Sequence, residues 1–185
     1  EVNTFGGQLK NDRSPLERLL NPELPFSAHP HLDEETGALY NFGVAFGRKN
    51  RLLLWRVAKE GVLDWRSEVE LEELTFVHDF LLTPACLVFF LPRVSFDVPK
   101  ALLGLKTPVA SLQVDEERPM QVLLVPRPGG PEAGAEPRFL EADRGGFVFH
   151  HALATEGEGG LQTVSMWMSS FPELGGDLAE AFTEA

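Results

Sequence analysis

Short runs rich in Val, Leu, Phe and Trp recur along this 185-residue chain, each closed by glycine, proline or a charged turn. After DEETG (residues 33–37), where Asp initiates a turn and Gly tolerates positive φ, comes ALYNFGVAF (38–46). The polar tip GRKN (47–50) then leads into RLLLWRVA (51–58), a spacing that predicts a β-hairpin. LTFVHDFLLT (74–83) and ACLVFFLPRV (85–94), divided at Thr83 and Pro84, predict a second strand pair. MQVLLVPR (120–127), GFVFHHALA (146–154) and LQTVSMWMS (161–169) predict three more strands, so the chain is expected to be all-β. Two stretches depart from the pattern. RPGGPEAGAEPR (127–138) predicts a solvated Pro/Gly-rich loop. SFDVPKALLGL (95–105) predicts a short amphipathic helix with Phe96, Leu102, Leu103 and Leu105 on its apolar side.

All five histidines fall in three of these segments: SAHPH (27–31), FVHDF (76–80) and FVFHH (147–151). Imidazole is a good ligand for iron, copper, nickel or zinc, so separated histidines that a fold brings together form a metal-site hypothesis. The competing reading of any one of them is a satisfied structural histidine. Roughly 50 and then roughly 70 residues separate His29, His78 and His150, near the ~40–50 residues of a four-stranded propeller blade with insertions. One histidine per blade would point toward a common axis, although a β-sandwich fits the strand pattern as well.

Composition narrows the function classes. The formal charge of −12 repels phosphate backbones and lacks a basic stripe, which argues against nucleic acid as a partner. Apolar runs such as ACLVFFL (85–91) have the length of a buried strand and fall well short of a membrane-spanning helix. Cys86 is the only cysteine, expected to be a small buried apolar residue, and a reducing, cytoplasmic compartment is expected. No signal peptide is visible. No residue-level repeat or domain boundary shows either, so residues 1–185 are expected to be one partial domain.

SAHPHLDEETGALYNFG (27–43), FVHDFLLT (76–83) and FVFHHALATEG (147–157) resemble, in order and at compatible separations, three signature segments of the carotenoid cleavage oxygenases, and FGGQL (5–9) is similar too. The resemblance implies part of a seven-bladed β-propeller, about three blades, and implies an internal fragment of a longer enzyme. It implies non-heme Fe(II) held by four histidines, of which His29, His78 and His150 match here. It implies cleavage of a conjugated double bond of a carotenoid, apocarotenoid or stilbene-like alkene by dioxygen, giving two carbonyl products. Where the family carries asparagine three residues after its third ligand, this chain has Leu153, which puts one supporting hydrogen bond in doubt. The family's supporting glutamates fall outside this stretch, and Glu156 is not assigned that role.

His31 and His151 are expected to be structural or to support the ligands. Asp33 and Asp79 are expected at a turn and beside a strand, neither as an acid or a base. Residues 95–105 are expected near a substrate tunnel mouth, giving peripheral membrane contact through Leu102 and Leu103 beside Lys100 and Lys106. The rival outcomes are an isomerase-type member of the family, a non-catalytic propeller scaffold, and a silent truncated product. The chain alone is expected to be inactive and aggregation-prone, because an unclosed propeller exposes strand edges. A soluble, monomeric, iron-binding 185-residue product would contradict this.

Overall fold

The computed structural model describes residues 27–45, 48–96, 112–157 and 160–168. These are β-strands and turns, in two compact units divided between Glu72 and Glu73.

In the first unit, β1 (His31–Leu32), β2 (Leu39–Ala45), β3 (Asn50–Val57) and β4 (Leu63–Leu71) form one antiparallel meander in that spatial order. The turn before β2 forms as its residues dictate. Asp33 N–H bonds the Ala38 carbonyl, its side chain accepts from Thr36 Oγ1 and Glu35 N–H, and Gly37 takes φ +70. A Cβ at Gly37 would lie 3.2 Å from Lys59 Cβ, so space and dihedral both favour glycine. Leu52, Leu53, Leu54 and Trp55 of β3 are all buried, which is why a near-continuous apolar run suits an inner strand. β4 lies outside the runs rich in Val, Leu, Phe and Trp. Its signal is strict alternation, with Val69 and Leu71 buried and Glu68 and Glu70 exposed. Its exposed carboxylates pair with β3 and the turn before it, Glu70 with Lys49 at 2.7 Å, Glu68 with Arg51 at 3.0 Å and Asp64 with Arg56 at 3.6 Å. Charges on this edge strand discourage further strand pairing.

The second unit holds a four-stranded antiparallel sheet built from β5 (Leu81–Leu82), β6 (Cys86–Leu91), β9 (Gln121–Pro126) and β10 (Arg138–Glu141), in the order β10-β9-β6-β5. The two-stranded pair β7 (Val94–Phe96) and β8 (Leu112–Val114) is inserted between β6 and β9. β11 (Phe147–Gly157) and β12 (Gly160–Met168) form a separate hairpin. Leu81, Ala85, Cys86, Val88 and Leu124 form a core cluster of this second unit, with Phe90, Val122 and Ala154 packed on it, and Phe80 stacks on Phe89 at 5.3 Å. Cys86 is buried as expected. The loop expected over 127–138 is a run of turns ending at Arg138, where β10 begins.

Two expectations need correction. The strand expected over 74–83 is confined to Leu81–Leu82. Side chains take over the backbone groups upstream: Thr75 Oγ1 donates to the Pro92 carbonyl at 2.9 Å, and the Asp79 carboxylate accepts Phe80 N–H at 2.8 Å. Thr83 then closes the turn, its N–H and Oγ1 donating to the Cys86 carbonyl and its Oγ1 accepting Cys86 N–H. The helix expected over 95–105 begins instead in a strand, since Ser95 and Phe96 pair with Gln113 and Leu112, and residues 97–105 lie outside the described residues.

Candidate metal centre

His29 sits just upstream of β1, in a segment that makes no sheet pairing of its own. One backbone bond, Ser27 N–H to the Phe42 carbonyl at 2.9 Å, ties this segment to β2, and Asn41, in the middle of β2 and buried, supplies the rest. Its Oδ1 accepts the N–H groups of Ser27 (3.1 Å) and Phe42, and its Nδ2 donates to the Ser27 carbonyl at 2.9 Å. Ser27 Oγ in turn accepts His29 N–H at 3.1 Å. The SAHP turn is thereby fixed to the strand fourteen residues on, with His29 half-buried.

In the second unit the fold brings His78 and His150 together, edge to face with ring centroids 5.1 Å apart. Phe149 stacks on His78 at 3.9 Å and meets His150 edge-on at 4.7 Å. Adjacent residues of a regular strand point to opposite faces, so this needs an irregularity. The β11–β12 register slips between Val148 and His150, leaving Phe149 as an extra residue. Such a bulge turns neighbouring side chains toward one side, a device frequent beside functional sites. A second slip lies between His151 and Leu153. Phe76 stacks on Phe147 at 5.9 Å, and Phe147 lies 6.0 Å from Phe149, so aromatic rings flank both imidazoles.

Asp79 lies beside these histidines, a placement its sequence position does not announce. It is only 6% exposed, and its Oδ2 accepts His151 N–H at 3.1 Å and lies 3.7 Å from His150 Nδ1. The available signal was a carboxylate set in an apolar run directly after His78, where a charge stays buried only if donors satisfy it. Asn41 was similarly foreshadowed by a lone polar residue within ALYNFGVAF.

The other residues named from the sequence take the following places. His151 Nδ1 meets Ser165 Oγ at 2.8 Å, and its ring leans on Phe90 at 5.1 Å. His31 pairs with Tyr40 between β1 and β2. Leu153 is exposed. The side chain of Glu156 is outside what is described.

Two half-buried imidazoles in contact, with a carboxylate beside one and apolar rings beside the other, fit a divalent first-row cation. An outer carboxylate behind a histidine ligand is a recurring arrangement in metal sites.

Known proteins resemble this chain in sequence and in fold. A family model described as Retinal pigment epithelial membrane protein matches residues 4–183. Apocarotenoid-15,15'-oxygenase of Synechocystis sp. is 29% identical over 159 residues, covering 83% of this chain and 31% of that protein. Cobalt-substituted Synechocystis apocarotenoid oxygenase superimposes with a TM-score of 0.71 at 28% identity, covering 80% of this chain and 31% of that one. A chimera of apocarotenoid oxygenase and RPE65 gives a TM-score of 0.72 at 28% identity, covering 83% and 32%. The chain therefore spans about a third of the length of these relatives. The all-β class holds, and the four-stranded meanders are those of a β-propeller, present here in part.

Proposed function

This chain belongs to the carotenoid cleavage oxygenases, the family of the matching model, and from that membership we propose that it is part of a non-heme Fe(II)-dependent dioxygenase. Its substrate would be a carotenoid or apocarotenoid, cut at one conjugated carbon–carbon double bond. One dioxygen supplies the oxygen atoms of the two carbonyl products. The observation that carries the reading is the contact of His78 with His150, each in a signature segment, 72 residues apart in sequence and 5.1 Å apart between ring centroids.

His29, His78 and His150 would hold the iron. When bound, ferrous iron in an all-histidine shell retains a double positive charge and open positions at which dioxygen can be activated. The chain's own residues do the rest. Phe149, partly exposed against both histidines, and Phe76, exposed against Phe147, offer an apolar wall that binds a polyene without a charged anchor and excludes water. Phe149 also holds the His78 ring in place by stacking.

Anaerobic Fe(II) reconstitution of the full-length protein tests the reading. About one iron per protein is expected, with affinity reduced at least tenfold by His78→Ala or His150→Ala. Failure of the unsubstituted protein to retain iron would favour a binding scaffold. We further propose a cytoplasmic protein in peripheral contact with a membrane through residues 95–105. Full-length Leu102→Ser/Leu103→Ser protein should lose liposome co-sedimentation, and unchanged sedimentation would remove that role.

A further inference from the structure

Asp79 has no part in the ligand set, yet its carboxylate ties two stretches of chain that no ladder connects. β5 and β11 belong to different sheets, so sheet hydrogen bonds leave open the distance between the residues leading into one and those within the other. Oδ1 of Asp79 accepts the N–H of Phe80 at 2.8 Å, and Oδ2 accepts the N–H of His151 at 3.1 Å. The first bond fixes the corner that follows His78, and the second fixes the backbone immediately after His150. The bulge at Phe149 makes this second anchor valuable, because a strand with an extra residue has lost part of its own register restraint. The side chain is buried, where hydrogen bonds to a charged acceptor are strong and an unpaired donor is costly.

We propose that Asp79 is a positioning residue of the metal centre, whose carboxylate sets the separation and mutual angle of the His78 and His150 rings by clamping the backbone behind each. The inference rests on the ligand reading of those two histidines. A carboxylate is required because each of its oxygens accepts one N–H. Asparagine supplies one acceptor oxygen and turns an NH2 group toward the other donor.

Co(II) is the probe, titrated anaerobically into the full-length metal-free protein and followed through its visible d–d bands, whose energy and intensity report coordination geometry. Asp79→Asn is expected to weaken Co(II) binding tenfold or more and to change the band pattern, as outer-sphere substitutions do. Thr83→Val is the control. It removes buried hydrogen bonds to Cys86 in the same unit without touching either histidine, and should leave affinity within about twofold and the spectrum unchanged. An Asp79→Asn protein with the original affinity and spectrum would overturn the proposal, as would equal weakening by Asp79→Asn and Thr83→Val. Should Asp79→Asn fail to fold, Asp79→Ser is read by the same outcomes. Absence of Co(II) binding by the unsubstituted protein is a different failure: it removes the ligand assignment itself.

Discussion

The segments carrying His29 and His78 both run outside sheet ladders, and a buried polar side chain anchors each beside its histidine, but the anchors differ in kind. Asn41 holds the first from the middle of β2, giving one donor and accepting two N–H groups within a stretch of sixteen residues. Asp79 holds the second from inside the segment and reaches β11, 72 residues away. A neutral amide suffices where the turn's own donors and acceptors lie together. A carboxylate serves where N–H groups from two distant stretches converge. The local anchor forms with its hairpin, whereas the long-range one forms only when β11 has docked.

The largest expected effect that tests this contrast is Asn41→Leu. It strands the Ser27 carbonyl and the Phe42 N–H, while Ser27 N–H keeps the Phe42 carbonyl at 2.9 Å, for a loss of about 2–3 kcal/mol in denaturant unfolding of the full-length protein. An unchanged midpoint would transfer the anchoring role to the Asp33 turn and dissolve the comparison. Ser27→Ala sharpens it, since only the His29 N–H loses its acceptor, for about 1 kcal/mol measured the same way. Stability loss as large as for Asn41→Leu would place Ser27, not Asn41, at the centre of the turn.

Glu73 supplies the smallest effect and the exposed counterpart to Asp79. Its carboxyl is held below the ordinary glutamate value by the Arg118 hydrogen bond first, with Arg93 adding attraction. A lowered folded-state value means that the stabilisation is complete above the unfolded-state pKa and disappears as pH falls through the folded one. With Glu73 largely solvated, its worth stays below about 1 kcal/mol. Glu73→Gln should therefore flatten the acid limb of the unfolding profile slightly, and a deep change there would show the pair to be far less screened than its exposure implies.

Much of the strand pattern was legible because burial and period agree. RLLLWRVA and MQVLLVPR are apolar runs that only inner strands can bury, and both form strands within one residue of the expected ends. The segment LTFVHDFLLT misled for a physical reason. Its apolar content suits a strand, but Thr75 and Asp79 bind backbone groups that a ladder would otherwise use. β4 escaped a search for apolar runs because its charges belong to one face of an edge strand.

By itself, the order of residues determined the all-β class, the turn at DEETG, the hairpin around GRKN, the burial of Cys86, and the three histidine segments, since each depends on nearest neighbours, side-chain period or residue type. Tertiary structure alone decided that His78 and His150 touch, that Phe149 stands out of register, and that Asp79 spans 72 residues to bind His151. Those outcomes depend on which distant backbone groups meet, and a one-residue slip in a strand reverses the face a side chain occupies without altering any local preference.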